Sequence, residues 1–97
     1  MPFQSQAYRF DNATLNTVNE LAGVYGLLEQ TAYGHRVLYV GLTDNFRRRL
    51  REHFNNPPIK GATHFAAEIL PYAYQRTARE QALIREFNPP GNVHHTR

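Results

Sequence analysis

The segment LYVGLTDNFRRRL, residues 38–50, changes from a strand pattern to a helix pattern within its own length. Its first half alternates apolar side chains with a tyrosine and a glycine, which is the two-residue period of a β-strand. We expect the apolar positions to face the core, and these are Leu38, Val40 and Leu42. Tyr39 and Gly41 then share the opposite face. A glycine inside a strand often marks the close approach of another backbone or of a ligand.

The second half of the segment predicts a helix that runs to about Asn55. Asp44 or Asn45 can cap its first turn, and the run Asn-Asn-Pro-Pro at residues 55–58 ends it. Apolar residues spaced by four predict the buried stripe of this helix. The stripe consists of Phe46, Leu50 and Phe54.

The arginines of this helix are not equivalent by position. Arg49 lies with His53 along one edge of the buried stripe. Arg47 and Arg51 lie along the other edge, and Arg48 points to solvent. Because the planar guanidinium suits phosphate oxygens, the helix is a candidate phosphate-binding surface. A solvated helix face is the alternative, and a histidine at such an edge is more often packed or solvated than catalytic.

A second glycine–tyrosine pair lies on the preceding predicted strand. Gly23, Tyr25 and Leu27 share one face of that strand. Two adjacent strands therefore each carry a glycine and a tyrosine on one face. The pattern alone leaves a simple alternative open, since tyrosine favours strands whatever its function.

Glu80 interrupts an apolar stripe on the last predicted helix. The stripe has the i, i+3, i+4, i+7 spacing of a buried helix face, and its other members are Leu83, Ile84 and Phe87. A carboxylate at such a position is costly unless it is paired or holds a metal ion. The alternative is a capping box, in which Glu80 would accept a hydrogen bond from the backbone amide of Thr77.

The whole chain predicts one small α/β domain: a three-stranded antiparallel sheet flanked by helices, in the order β-β-α-β-α. The strands are expected at residues 23–30, 37–43 and 64–70, the hairpin loop at 31–36 and the last helix at 78–87. Residues 1–22 form an extension with a short strand near 7–10 and a helix around 14–21, capped by Asn12 or Thr14. The domain spans 23–92, and 93–97 is a tail. His94 and His95 lack further spaced ligands, so we expect a disordered end.

The composition excludes several classes of protein. The 97 residues suffice for one domain, and no apolar run approaches the roughly 18 residues of a membrane span. The N-terminus lacks the pattern of a secretory signal. Because there is no cysteine, disulfides, thiolate zinc sites and cysteine nucleophiles are excluded, which fits a cytoplasmic protein. The net charge of +3 implies a basic face rather than a basic protein.

Taken together, these segments resemble the GIY-YIG nuclease family. The triplets Gly23-Val24-Tyr25 and Tyr39-Val40-Gly41 resemble the paired signature that names the family, with valine in place of isoleucine. Residues 38–50 and 80–92 continue the family pattern, the latter through the carboxylate helix to a terminal asparagine. The likeness covers residues 23–92, and four matched segments in the right order make it specific.

The resemblance implies a role for each matched residue. Glu80 is the sole carboxylate that binds a divalent cation, Mg²⁺ or Mn²⁺. Arg49 contacts the scissile phosphate. Tyr25 and Tyr39 line the cleft, and one of them, with Tyr25 preferred, helps to deprotonate the attacking water. A tyrosine is a poor base unless a nearby arginine or cation lowers its pKa, and we expect Arg49 and the metal ion to do so.

Further positions follow from the same resemblance. His53 matches a position where homing-type members carry histidine and repair-type members carry tyrosine. Asn92 matches the terminal asparagine that supports the site. Leu42 departs from relatives that have a lysine there to assist proton transfer. The remaining predicted DNA contacts are Arg47, Arg48, Arg51, Gly41 and Thr43.

The implied activity is a magnesium- or manganese-dependent endonuclease acting on DNA in repair or recombination. Aromatic side chains beside a basic groove suit unstacked bases, and Phe65 and Tyr72 are candidates. We find no spare element for reading a duplex sequence. We therefore expect a preference for single-stranded or branched DNA, with a partner protein supplying any specificity. Two alternatives stay open: a catalytically silent nucleic-acid-binding module on the same scaffold, and a small structural or protein-interaction domain.

Overall fold

The elements follow the expected order β-β-α-β-α, preceded by a short strand and a short helix. The structure is a computed structural model that describes residue 3 and residues 5–92. Its elements are β1 (Tyr8–Arg9), α1 (Asn12–Leu15), β2 (Gly23–Thr31), β3 (Gly34–Thr43), α2 (Phe46–Asn55), β4 (His64–Ile69) and α3 (Ala73–Phe87). The tail predicted at 93–97 lies outside the described residues.

The strands form one antiparallel sheet in the order β1-β4-β2-β3. The α/β class with an antiparallel sheet is thereby confirmed. The sheet has four strands rather than three, because the strand of the extension joins it: Tyr8 pairs with Phe65 and Arg9 with His64. β3 lies at the opposite edge of the sheet and carries the candidate site residues Tyr39 and Gly41.

Helices cover both faces of the sheet and create two apolar clusters. The cluster on the α2 side consists of Leu15, Tyr25, Leu27, Tyr39, Phe46, Leu50 and Phe65. The cluster on the α3 side consists of Val24, Leu28, Val37, Val40, Ala66 and Leu83. Leu15 of the extension is fully buried in the first cluster, so the extension contributes to the core of the domain.

The predicted division of β3 into a core face and an open face was wrong. Because both faces are covered, Tyr39 is buried together with Val40. A β-bulge also interrupts the alternation: Leu27 pairs with Tyr39 and Leu28 with Val37, which leaves Leu38 as an extra residue between two register positions. Leu42, expected in the core, is exposed.

The helix termini depend on which side chains cap them. Asn45 caps α2 as predicted, and its side chain accepts a hydrogen bond from the Arg48 amide at 3.0 Å. α1 is shorter than predicted, and its cap is Asp11, which accepts from the Thr14 amide at 2.9 Å. Within the described residues, no helix has the length and apolar character needed to cross a membrane.

Two further boundaries differ from the prediction. α3 begins at Ala73, five residues before the expected residue 78, and Tyr72 is its N-cap without a side-chain hydrogen bond. The hairpin between β2 and β3 is tighter than expected, since β2 ends at Thr31 and β3 begins at Gly34.

Candidate active site

Three rings from two strands and one helix meet on the α2 side of the sheet. Tyr25 comes from β2, Tyr39 from β3 and His53 from α2. The Tyr25 hydroxyl lies 2.6 Å from His53 Nε2. The ring centroid of Tyr39 lies 6.3 Å from that of Tyr25 and 5.4 Å from that of His53. Because Tyr25 is 1% exposed and His53 5% exposed, their hydrogen bond is shielded from bulk water.

The glycines of the two triplets permit close approaches around Tyr25. A Cβ atom on Gly41 would lie 2.4 Å from the Tyr25 hydroxyl oxygen, so only a glycine leaves room for that hydroxyl beside β3. A Cβ atom on Gly23 would lie 1.9 Å from the backbone oxygen of Glu68 and 2.5 Å from the ring of Phe46. Gly41 therefore shapes the site, whereas Gly23 permits β4 and α2 to pack against β2.

Arg49 connects the buried tyrosine–histidine pair to the surface. It lies one helical turn before His53, and its Nη1 donates a hydrogen bond to Glu52 Oε1 at 3.0 Å. Its guanidinium is also close enough to Tyr25 to act on the pKa of the hydroxyl. The predicted edge of α2 is thus confirmed as a place where Arg49 and His53 meet a strand residue.

The electrostatics of the pair differ from the expectation. Burial, followed by the nearby Tyr39, raises the pKa of Tyr25 above its ordinary value, and these effects outweigh the opposing influence of Arg49. Arg49 lowers the Tyr25 pKa as expected, but without a metal ion its influence does not overcome the effect of burial. Burial, assisted by the positive charge of Arg49, lowers the pKa of His53 to about 4. At pH 7 the pair consists of a neutral phenol and a neutral imidazole.

These protonation states give the 2.6 Å contact a direction. When the imidazole carries its proton on Nδ1, the Tyr25 hydroxyl donates to His53 Nε2, and the Tyr25 oxygen is left to accept from a cation such as Arg49. A proton acquired by the Tyr25 oxygen can therefore be followed by transfer of the original proton to His53.

Glu80 lies on α3, which covers the opposite face of the sheet from α2. Its carboxyl group is half-buried, and burial alone raises its pKa. No partner for this carboxylate is found among residue 3 and residues 5–92. Its negative charge is nevertheless close enough to Tyr25 to raise the pKa of the hydroxyl. The capping-box alternative was wrong, because α3 begins at Ala73 and Thr77 lies inside the helix rather than at its N-terminus.

A half-buried carboxylate without a cationic partner fits the chemistry of a divalent cation site. In the described part of the chain, no group of three or more histidine or acidic side chains could enclose a metal ion. A hard cation held by one carboxylate and several waters is the coordination that Mg²⁺ accepts readily. The donor set at Glu80 is therefore compatible with magnesium or manganese.

Asn92 forms hydrogen bonds to the outer edge of β3. Its Oδ1 accepts a hydrogen bond from the Val40 amide at 2.8 Å, and its Nδ2 donates to the Val40 carbonyl at 2.9 Å. The amide side chain thus pairs with both outward backbone groups of one β3 residue. A Cβ atom on Gly91 would lie 2.7 Å from the Leu38 carbonyl oxygen, which shows how closely this segment follows β3.

The arginines predicted to contact DNA divide into two groups. Arg47 Nε donates to the Val18 carbonyl at 2.7 Å, and Arg51 donates to the Asn16 side chain. Both arginines fix the connection between α1 and β2, on the side of α2 away from Arg49. Their predicted DNA contacts remain a prediction, which these bonds allow because each guanidinium has further N–H donors.

The other predicted DNA contacts lie nearer to the site. Arg48 is exposed on α2 and pairs with Asp44 at 2.5 Å, so it is open to an external phosphate. Thr43 is buried, and its hydroxyl accepts from the Asn45 amide at 3.1 Å, which places it in the α2 capping turn. Phe65, a candidate for base stacking, is buried in the core, and that expectation was wrong.

The sequence interpretation overlooked two residues near the start of α3, Tyr74 and Arg76. Tyr74 is exposed and stacks on Tyr72. Arg76 lies near Asp44, whose pKa it lowers together with the closer Arg48. The available signal was the dense run of aromatic and basic side chains directly after Pro71.

Solved structures with a similar fold are those of the N-terminal endonuclease domain of UvrC from Thermotoga maritima. The domain bound to its catalytic divalent cation, magnesium, aligns with a TM-score of 0.67 and 19% identity, covering 86% of this chain and 100% of that chain. A tyrosine-to-phenylalanine variant bound to its catalytic divalent cation aligns with a TM-score of 0.67 and 22% identity, covering 84% of this chain and 92% of that chain. No curated protein sequence matches at a significant level.

The family assignment rests on the sequence itself. A profile described as the GIY-YIG catalytic domain matches residues 22–93, which is most of the chain. This range contains the two glycine–tyrosine triplets, Arg49, Glu80 and Asn92. The chain therefore belongs to the GIY-YIG catalytic domain family and is a nuclease of that type.

Proposed function

We propose that this protein is a divalent-metal-dependent endonuclease that hydrolyses phosphodiester bonds in DNA. The observation that carries the proposal is the Glu80 carboxylate, which has no partner among the described residues and whose charge acts on the Tyr25 hydroxyl that is hydrogen-bonded to His53. The carboxylate on α3 and the tyrosine–histidine pair on the α2 side of the sheet are therefore close enough to interact electrostatically. The similar UvrC domain binds a catalytic divalent cation, which supports a cation at the corresponding place.

Glu80 is the residue that would hold Mg²⁺ or Mn²⁺, with waters completing the coordination. When bound, the cation supplies Lewis acidity at the scissile phosphate and replaces the negative charge that raises the Tyr25 pKa by a positive one. This change favours loss of a proton from Tyr25. Because Glu80 lies on a partly apolar helix face, its surroundings screen charges less than water does. The effect of the cation on the Tyr25 pKa is correspondingly stronger.

Tyr25 and His53 act as the proton-transfer pair in this proposal. The Tyr25 oxygen takes a proton from the attacking water as its own proton passes to His53 Nε2, which lies 2.6 Å away. In the resting site this transfer is unfavourable, because the pKa of His53 is about 4. A phosphate bound to Arg49 offsets one of the two causes of that low value, so substrate binding makes His53 a better proton acceptor.

Arg49 binds the scissile phosphate and stabilises the charge that develops on its oxygens. Its side chain is partly exposed beside the buried pair, so it can reach a substrate while remaining close to Tyr25. As the water oxygen bonds to phosphorus, the bond to the leaving oxygen breaks, and that oxygen takes a proton from solvent. Tyr39 packs against both Tyr25 and His53 and closes this side of the pair.

The proposed substrate is single-stranded or branched DNA rather than intact duplex. Exposed aromatic and basic side chains near the site, Tyr72 and Arg48 among them, suit unpaired nucleotides. We further propose that a partner protein supplies sequence specificity and that the protein acts in the cytoplasm, in DNA repair or recombination.

A cleavage panel tests this function. Single-stranded, duplex, flap and branched DNA would be incubated with the protein and with Mg²⁺, Mn²⁺ or a chelator. We expect metal-dependent cleavage that is faster on single-stranded or branched substrates. Salt-sensitive binding without cleavage of any substrate would instead identify a catalytically silent binding module, and faster cutting of a duplex at one defined sequence would overturn the proposed preference.

A further inference from the structure

Two tyrosines at the start of α3 form an exposed aromatic stack. The ring centroids of Tyr72 and Tyr74 are 6.0 Å apart, and the ring planes differ by 18°. Side chains two residues apart within a helix point in different directions. The stack is possible because Tyr72 precedes the helix with extended backbone angles, φ −101° and ψ 136°.

Burial does not account for this arrangement. Tyr72 is 60% exposed and Tyr74 73% exposed, and neither belongs to an apolar cluster of the described residues. Tyr8, by contrast, is exposed but packs against Phe65 of the core. Two exposed rings that stack on each other leave an outer aromatic face free, and stacking of this kind suits a planar ligand.

Arg76 holds the stack in place and keeps its own charge. Its Nη1 donates to the carbonyl oxygens of Leu70 and Pro71, at 3.0 Å and 2.9 Å. These bonds fix the turn that presents Tyr72, so the stack is organised before any ligand binds. Carbonyl oxygens do not neutralise a guanidinium, and the nearby Asp44 is paired with the closer Arg48, so the Arg76 side chain remains able to attract a phosphate.

The stack lies at the N-terminal end of the helix that carries Glu80. Arg76 and Glu80 lie one turn apart on one side of α3, and Tyr72 caps the start of that helix. The seven-residue step from Ala73 to Glu80 corresponds to about 10 Å of helix. A strand whose phosphate is bound near Glu80 would therefore bring a neighbouring nucleotide to Arg76 and the stack.

We propose that Tyr72 and Tyr74 form a stacking platform for an unpaired nucleobase next to the scissile phosphate, with Arg76 contacting the intervening DNA backbone. This inference rests on the proposed nuclease function and specifies how single-stranded DNA is preferred over duplex. In a duplex the base faces are occupied by their neighbours, so only an unstacked strand can use the platform. The recognition is independent of sequence, because every base has an aromatic face.

The test uses single-stranded oligonucleotides of fixed length in which the fluorescent base 2-aminopurine occupies each position in turn. We expect binding of the wild-type protein to quench the 2-aminopurine fluorescence. The Tyr72→Ala/Tyr74→Ala double variant should lose this quenching and bind single-stranded DNA about tenfold more weakly. The Tyr72→Phe/Tyr74→Phe variant should retain both, since phenylalanine keeps the rings.

Tyr33→Ala is the matched control, because Tyr33 is fully exposed at the tip of the β2–β3 hairpin, at the opposite end of β2 from the start of α3. The Tyr33→Ala variant should quench the 2-aminopurine fluorescence and bind single-stranded DNA as the wild type does. Quenching and affinity that persist in the double alanine variant, with an unchanged melting temperature, would overturn the platform. The quenching is measured without metal ions and does not depend on cleavage. Absence of cleavage by the wild type therefore counts against the proposed function alone.

Discussion

The Tyr25 hydroxyl and His53 Nε2 lie 2.6 Å apart at a place where neither residue contacts bulk water appreciably. The pair links β2 to α2 and is tuned by three charged or polar neighbours, Arg49, Tyr39 and Glu80. The pair is therefore both a tertiary contact and, in the proposed mechanism, the group that transfers a proton. The same hydrogen bond should consequently appear in measurements of stability and of catalysis.

The stability of the protein should fall as the pH is lowered from about 6.5 to about 4, because of His53. The folded-state pKa of His53 is about 4, whereas its ordinary value is 6.5. Between these values the unfolded chain binds a proton that the folded protein excludes, so stability rises with pH in this window. Above pH 6.5 the contribution is fully present.

Thermal melting of the wild type and of His53→Gln from pH 7 to pH 4 would measure this contribution. The glutamine amide can still accept a hydrogen bond from Tyr25 but does not titrate. We expect the melting temperature of the wild type to decrease more steeply than that of the variant. Since all other titrating groups are shared, parallel curves would contradict the assignment.

Glu80→Ala should abolish cleavage without destabilising the fold. Burial penalises the charged carboxylate in the folded protein. Its removal should therefore leave the melting temperature unchanged or higher in the absence of metal ions. Adding Mg²⁺ should raise the melting temperature of the wild type but not that of the variant. The control is Glu86→Ala on the exposed face of α3, which should cleave normally. A Glu80 variant that cuts normally but melts well below the wild type would refute the metal-binding role.

Arg49→Ala should lose far more activity than Arg48→Ala. Arg49 lies beside Tyr25, whereas Arg48 is exposed and pairs with Asp44. Loss of a transition-state contact to phosphate costs about 3 kcal/mol, or roughly a hundredfold in turnover. Arg48→Ala should mainly weaken DNA binding and flatten its salt dependence. Turnover measured at saturating DNA distinguishes the two, and equal losses would exclude Arg49 as the catalytic arginine.

Tyr25→Phe and Tyr39→Phe should each reduce turnover sharply with little change in DNA affinity. The rings still pack, so each variant tests only a hydroxyl group. Tyr25→Phe should also lower the free energy of unfolding by about 1 kcal/mol, since His53 loses a buried hydrogen-bond partner. Pre-steady-state cleavage across a pH range provides the measurement. If both variants keep full turnover throughout, the base lies elsewhere.

Local patterns in the sequence predicted the order of the elements and the division of α2 into distinct edges. Asn45 supplied a clear cap, and four-residue spacing placed Arg49 beside His53. The start of α3 was missed because Tyr72 caps it without a side-chain hydrogen bond, so no capping residue marks it. Alternation could not reveal the bulge at Leu38, since an extra residue leaves no mark on hydrophobicity.

The protonation properties of the site were harder to predict from the sequence than the identity of its candidate residues. Tyr25 and Tyr39 were expected beside an open cleft, but helices on both faces of the sheet bury both rings. In the absence of a metal ion, burial raises the Tyr25 pKa more than Arg49 lowers it. This net increase depends on tertiary packing, because it results from desolvation by residues distant in the chain. The resemblance supplied the candidate residues, and only their arrangement showed which of them share a hydrogen bond.

The paired hydrogen bonds of Asn92 with Val40 have a consequence for self-association. An edge strand with open backbone groups is a template for a strand of another molecule. At Val40 that template is already occupied, and Gly91 lets the chain run close against the neighbouring Leu38 carbonyl. A fragment cut after Phe87 would expose β3 to intermolecular strand addition. Where this domain is excised or fused to another polypeptide, we therefore expect a boundary before residue 92 to promote association through β3.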